Sequence, residues 1–333
     1  MLMVTIRDVA KAAGVSTATV SRILNNKGEA SPETIERVRK IAEEMNYKPN
    51  TLAKSLSKGN TNLIALLIPS LENPFFPELV KAIEEAANAY GYHVYLCNSD
   101  DERSKVKYYL DSVLSSYVTG AIINSLYVKT KDLDFLESRG VRTITIDRSQ
   151  SDHPYSSITV DHKKGARLAV RHLIKEGGCR KIVHLSGPKD EKSANDRLTG
   201  YLEVLKEDGH GQVPQVVYGN FSMESGYEAV KGLIKSGASF DGIFSSNDAM
   251  ALGAIRACTE AGLKVPSDIK IVGYDNIQFS RFSTPQLSTV DQQKHKAGRL
   301  AIEELIRLIR NENEKPRKYE VKPELVVRES SVD

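Results

Sequence analysis

The hydrophobic pattern of the chain changes period near residue 60. Before that point, apolar positions recur at helical spacing. Ile6, Val9, Ala10 and Ala13 share one face of a short helix that follows Thr5 and stops at Gly14. Val15-Ser16 forms a turn, with Ser16 placed to cap a second helix in which Val20, Ile23 and Leu24 point inward. Thr17, Ala18, Ser21, Arg22 and Asn25 then fall on the opposite side. Ser31-Pro32-Glu33-Thr34 opens a third helix, with Ser as cap and Pro in the first turn. Its buried stripe is Ile35, Val38, Ile41 and Met45. Three short helices with a Gly-containing turn between the first two predict a small all-α helix-turn-helix head.

From Leu63 onward the pattern is one of short apolar runs alternating with amphipathic stretches. Leu63–Ile68, Val94–Cys97, Gly120–Asn124, Thr143–Asp147 and Ile158–Val160 read as strands, with helices between the first four. A second series follows at Lys181–Ser186, Gln215–Tyr218, Gly242–Ser245 and Lys270–Gly273, again with helices between. Such alternation predicts parallel sheets covered on both faces, and two series predict an α/β body of two doubly wound lobes.

Composition narrows the function classes. A chain of 333 residues, 40% apolar, suits roughly two domains with ample core. Its longest apolar runs, such as Ile64–Ile68, are far below the ~20 residues of a membrane span. Arg7 and Asp8 interrupt any signal core at the start. Cys97, Cys179 and Cys258 are odd in number and far apart, which fits small buried hydrophobes in a reducing cytoplasm rather than a disulfide scaffold or metal site. The seven histidines show no HExxH or paired spacing, and no Gly-rich phosphate loop is present, so the residues supply no catalytic set. Residues 1–60 carry ten Lys and Arg against six Asp and Glu, a local charge of +4 inside a total of +3. A basic head on a near-neutral body points to a module that binds a polyanion, joined to something else.

The second helix has the chemistry a DNA major groove admits: small polar side chains that permit close approach, and one Arg to pair with guanine or phosphate. Beyond Asn46-Tyr47-Lys48-Pro49-Asn50, the segment Thr51–Lys58 is helical in composition but has only Leu52, Ala53 and Leu56 as apolar residues. Alone it is a marginal helix, expected to form when two copies meet on DNA and a Leu wedges into the minor groove. The run Thr5–Asn25, the Asn46–Asn50 stretch and Ala53…Leu56 resemble the headpiece and hinge of the LacI/GalR family of bacterial repressors. That resemblance implies base contacts from Thr17, Ala18 and Arg22, and a minor-groove wedge at Leu56. It assigns phosphate positioning to Ser16, Ser21, Asn25, Tyr47 and Asn50. Ile6 and Ala53 complete the expected DNA-binding set.

In the body, polar and aromatic residues collect at strand ends: Asn73-Pro74-Phe75-Phe76, Asp147-Arg148, Asn195-Asp196-Arg197, Asn220-Phe221, Asn247-Asp248, Tyr274-Asp275-Asn276 and Asp291-Gln292. Bidentate Asp, Asn, Arg and Gln groups suit adjacent hydroxyls, and Phe faces suit the C–H faces of a sugar ring. Each group also has a plainer reading as helix cap, core or ion pair. The body resembles the periplasmic sugar-binding proteins, the ribose binders above all. The resemblance implies a sugar grip by Asn73, Phe75, Phe76, Asp147, Arg148, Arg197, Phe221, Asn247, Asp275 and Gln292, with no metal and no cofactor beyond a small effector, D-ribose.

The expected organisation is a headpiece over about 1–49, a hinge over about 50–61 and an effector-binding, dimerising body over about 62–333. Within the body, one lobe takes about 62–161 and 293–324, the other about 162–292 and 325–333. No heptad-bearing extension follows the final strand near Val326, so a homodimer on a pseudo-palindromic operator is expected rather than a tetramer. The function these features imply is a cytoplasmic transcriptional repressor released from double-stranded operator DNA by ribose. Two alternatives remain: a corepressor-type member that answers to a purine or a phosphorylated carrier protein, and a stand-alone sugar-binding protein.

Overall fold

A computed structural model of the chain describes residues 4–25, 30–47, 61–147, 153–209, 211–311 and 313–332. Contacts divide the chain into two units, Met1–Thr61 and Asn62–Asp333.

The first unit contains α1 (Ile6–Ala13), α2 (Thr17–Leu24) and α3 (Pro32–Glu44). Each start is fixed by its cap. Thr5 donates its backbone N–H at 2.8 Å and its hydroxyl at 2.7 Å to Asp8 Oδ2. Ser16 Oγ accepts from the Thr19 amide at 3.1 Å, and Ser31 Oγ from the Thr34 amide at 3.3 Å. Gly14 ends α1 at φ 65°, a left-handed conformation that glycine adopts without Cβ strain. The inward faces of the three helices close on one core of Val9, Ala10, Ala13, Val20, Ile23, Val38 and Ala42. Ile6, Leu24, Ile35, Ile41 and Met45 pack at its edge, in keeping with the helical periodicity.

The second unit holds two sheets. In the first lobe, β1 (Leu63–Ile68), β2 (His93–Asn98), β3 (Gly120–Ile123), β4 (Arg142–Ile146), β5 (Ser156–Val160) and β11 (Lys318–Val321) run in the order β11-β5-β4-β3-β1-β2, all parallel. β1 pairs on both edges, Leu66 with Leu96 and with Ile122, and packs on both faces, which explains its unbroken apolar run. One face of the sheet is covered by α4 (Phe75–Ala89) and α11 (Lys294–Arg310), the other by α5 (Arg103–Ser115) and α6 (Thr130–Ser138).

In the second lobe, β6 (Ile182–Ser186), β7 (Gln215–Tyr218), β8 (Gly242–Ser245), β9 (Lys270–Tyr274), β10 (Ser288–Asp291) and β12 (Glu324–Val326) run in the order β12-β10-β9-β8-β6-β7. Helices α7 (His162–Lys175) and α8 (Lys192–Asp208) cover one face, α9 (Met223–Lys235) and α10 (Asp248–Glu260) the other.

Two features depart from the sequence reading. Strands β10 and β11 were not among the expected series; both are four residues long and at least half polar, Ser-Thr-Val-Asp and Lys-Tyr-Glu-Val. The second sheet is also not wholly parallel, because β12 runs antiparallel to β10, with Thr289 opposite Val326. The reason is connectivity. β11 runs towards the boundary between lobes, and only Lys322-Pro323 separates it from β12, so the chain enters the second sheet from the end at which its other strands finish. Among the described residues the chain crosses between lobes three times: at Asp161, at Gln292-Gln293 and at Lys322-Pro323.

Candidate functional site

In each sheet the strand order reverses direction at one place, between β1 and β3 and between β6 and β8. Loops leave such a switch point to opposite faces and open a crevice at the carboxyl ends of the strands. Here the two crevices face each other and form one cleft of about 420 Å³. Its wall is built from strand ends: Pro69 after β1, Asn124 after β3, Asp147 after β4, Pro188 after β6, Asn220 after β7, Asn247 after β8, Asp275 after β9 and Gln292 after β10. Asn73, Phe75, Phe76, Asp147, Arg197, Phe221, Asn247, Asp275 and Gln292 all line it. Arg148 lies outside the described residues.

On the first lobe, Asn73 Oδ1 accepts the Phe75 amide at 3.1 Å and so turns the chain into α4. That turn presents Phe75 and Phe76 to the cleft as an edge-to-face pair, centroids 5.2 Å apart at 82°. Phe76 also belongs to the core under α4, so it is wall and foundation together. Asp147 sits at φ 57°. Its Oδ1 accepts the Val160 amide at 3.0 Å and its Oδ2 faces His162 Nε2 at 2.6 Å. Burial alone would raise this carboxyl, but the His162 ring, the Val160 amide and Arg197 outweigh it and hold it below the ordinary carboxylate value.

On the second lobe, Asn247 caps α10 by accepting the Met250 amide at 3.0 Å, while its Nδ2 donates to the Phe221 carbonyl at 2.8 Å. The plain reading of Asn247 as a helix cap therefore holds, and the same side chain fixes Phe221, which stands at φ 67°. Gly187 makes room for that ring: an added Cβ would lie 2.3 Å from Phe221 Cζ. Asp275, at φ 117°, accepts Gln292 Nε2 at 2.5 Å. Burial pushes the Asp275 carboxyl up to about 8. Arg197 is buried on α8, with Nη1 donating to the Ser246 carbonyl at 2.6 Å and Cζ 4.0 Å from the centre of the Tyr274 ring.

Sequence reasoning missed several participants. Asn124 is buried in the cleft wall, and its Oδ1 is an acceptor with no hydrogen-bond partner. It directly follows β3, so the strand-end signal that found the others would have found it. His162 and Lys294 carried no such mark, and Tyr274, although within a strand-end cluster, was not assigned to the grip; their roles come from contacts between distant segments.

In the first unit, Ser16, Thr17, Ala18 and Arg22 are exposed on one side of α2. Ser21 and Asn25 are half-buried, the Asn25 amide turned back onto the Ser21 carbonyl at 2.5 Å. Ile6 and Tyr47 are half-buried and pack against the edge of the headpiece core. Asn50, Ala53 and Leu56 lie outside the described residues.

Residues 5–50 match the lacI family of bacterial regulatory proteins, and residues 170–331 match a periplasmic binding protein-like domain. The ribose operon repressor of Halalkalibacterium halodurans is 39% identical over 329 residues, spanning 99% of this chain and 97% of that one. The chain belongs to the LacI family. It is a transcriptional repressor of that type and not an enzyme, as its relatives are. The repressor PurR of Pasteurella multocida is 36% identical, with 98% of each chain covered. The solved lac repressor dimer bound to operator and the anti-inducer ONPF matches this LacI-family chain with TM-score 0.87 at 31% identity over the whole of both chains. A LacI family regulator from Enterococcus faecium with bound ribose matches with TM-score 0.74 at 27% identity, over 81% of this chain and 98% of that one. Among the described residues, no helix is long and apolar enough to cross a membrane.

Proposed function

We propose that this LacI-family repressor is a homodimer that leaves its operator when D-ribose occupies the cleft. The observation that carries the reading is the convergence of strand ends from both lobes on one cleft. Aromatic faces (Phe75, Phe76, Phe221) flank it, and hydrogen-bonding groups (Asp147, Arg197, Asp275, Gln292) and the unpaired Asn124 oxygen line it. A buried sugar hydroxyl left unpaired costs on the order of 1–3 kcal/mol, so a lining this rich in paired donors and acceptors selects a polyol. Gripped from both sides, ribose favours closure of the lobes. Closure moves the first lobes of the dimer and alters the spacing of the two heads, whose α2 faces Thr17, Ala18 and Arg22 to the major groove. By linkage, operator must weaken ribose binding by the same factor.

The test is a thermal-shift series on the full chain with ribose, other pentoses, hexoses and purines, paired with operator gel shifts. Ribose raising the melting temperature while releasing DNA supports the reading. A shift with guanine or hypoxanthine, with DNA binding strengthened, supports a corepressor instead and ends the ribose proposal.

A further inference from the structure

Asp147 and Arg197 approach the cleft from opposite lobes, one at the end of β4 and one on α8, and His162 stands between them. His162 is the first residue of α7, at the first crossing between lobes, and is almost fully buried. Arg197 carries only donors, and its Nε and Nη2 face His162 Nδ1 at 3.4 and 3.2 Å. That nitrogen therefore presents its lone pair. The ring proton sits on Nε2 and is donated to Asp147 Oδ2 at 2.6 Å. The Tyr274 hydroxyl lies 3.2 Å from Nδ1, and its ring lies beneath the Arg197 guanidinium. Gly165, one turn along α7, admits that hydroxyl; an added Cβ would come within 2.3 Å of it.

We propose that His162 is a positioning residue that keeps the two ionic effector ligands apart while holding both in place. In direct contact, a carboxylate and a guanidinium form a fork-to-fork pair that uses two bonding positions on each. With the imidazole between them, each ion is oriented but incompletely satisfied. Asp147 has spent two of about four lone-pair directions, on Val160 and His162. Arg197 has spent three of about five N–H groups, on His162 and Ser246. The remaining positions on both are the ones adjacent sugar hydroxyls would take. This inference rests on the ribose reading and names the residue that makes the grip of one lobe depend on the other.

The experiment is calorimetric titration of full-length wild type, His162→Gln and His162→Leu with ribose. Alongside it, the side-chain ¹⁵N spectrum of the wild type reports the tautomer. We expect His162→Leu to bind ribose at least tenfold more weakly. His162→Gln, which still offers one acceptor and one donor, should recover to within about threefold of wild type, where each tenfold is about 1.4 kcal/mol. The wild-type spectrum should show His162 protonated on Nε2 and bare on Nδ1. Unchanged affinity in His162→Leu, equal losses in both variants, or a proton on Nδ1 would each overturn the proposal. Failure of the wild type to bind ribose would instead sink the effector reading, and the tautomer measurement, which needs no ligand, would then decide the spacer by itself.

Discussion

Glu78 and Lys294 pair on the first lobe where it borders the second, Nζ to Oε2 at 3.1 Å. Lys294 opens α11 just after the second crossing, is buried, and also donates to the carbonyls of Asp275 at 3.0 Å and Asn276 at 2.6 Å. Glu78 Oε1 accepts the Gln278 amide at 2.7 Å. One ion pair thus ties the helix that carries Phe75 and Phe76 to the turn that carries Asp275.

The two partners of that pair should not be equivalent. Lys294→Met strands two carbonyls and a carboxylate, and should cost about 3 kcal/mol, the lower end for breaking a buried pair. Glu78→Gln should cost about 1 kcal/mol, because Glu78 is a quarter exposed and screened, and the amide oxygen still accepts from Gln278. Thermal unfolding of the full chain measures both; a larger loss in Glu78→Gln would show that the ammonium is not the centre of the tie.

Stability of the ligand-free protein should fall as pH rises through neutrality. Burial holds the Asp275 proton up to about 8, whereas the unfolded chain releases it near the ordinary value of 3.8. The folded state therefore binds more protons between about pH 4 and pH 8, and stability is lost upward across that window, by at most about 1.4 kcal/mol per pH unit for one proton. Asp248, raised to about 6 by burial, acts in the same direction but over a window that ends sooner. Between pH 6 and pH 8 the melting temperature of Asp275→Asn should decline less than that of the wild type. Parallel curves would place the proton elsewhere.

Gly187→Ala should act on the effector without touching it. The new methyl would collide with the Phe221 ring and force it from its place in the cleft. Ribose affinity should fall by about tenfold or more, and operator affinity without ribose should stay as it is. Calorimetry and gel shift on one preparation separate the two.

In the headpiece, Arg22→Ala should weaken operator binding by about 5- to 150-fold, the range for one guanine contact of about 1–3 kcal/mol, at fixed salt. Ribose affinity should be unchanged. If Arg22→Ala binds operator normally, α2 is not the reading helix.

Much of this molecule was legible in sequence because its signals are local. The run Leu63–Ile68 is apolar throughout since both faces and both edges of β1 are covered, and the periodicity of Val9, Val20, Ile23 and Val38 closes one small core. The cleft was legible for the same reason: a parallel sheet delivers its loops to one end, so polar residues after successive strands must gather there. What escaped was long-range. Strand β12 shows its direction only through the short link from β11. Lys294, one lysine among many on the chain, acquires its role from residues 18 and 19 positions earlier and from Glu78. His162 lay in plain view, but its meaning depends on Arg197, 35 residues away.

The threefold passage of the chain between lobes has a genetic consequence. No single cut in the coding sequence liberates either half of the body, since the last strand of one sheet, Lys318–Val321, and the last strand of the other, Glu324–Val326, are encoded almost side by side. A frameshift or stop codon upstream of them therefore strips an edge from both halves at once. Swapping sensor modules between such regulators has to exchange the whole region from the end of the head onward.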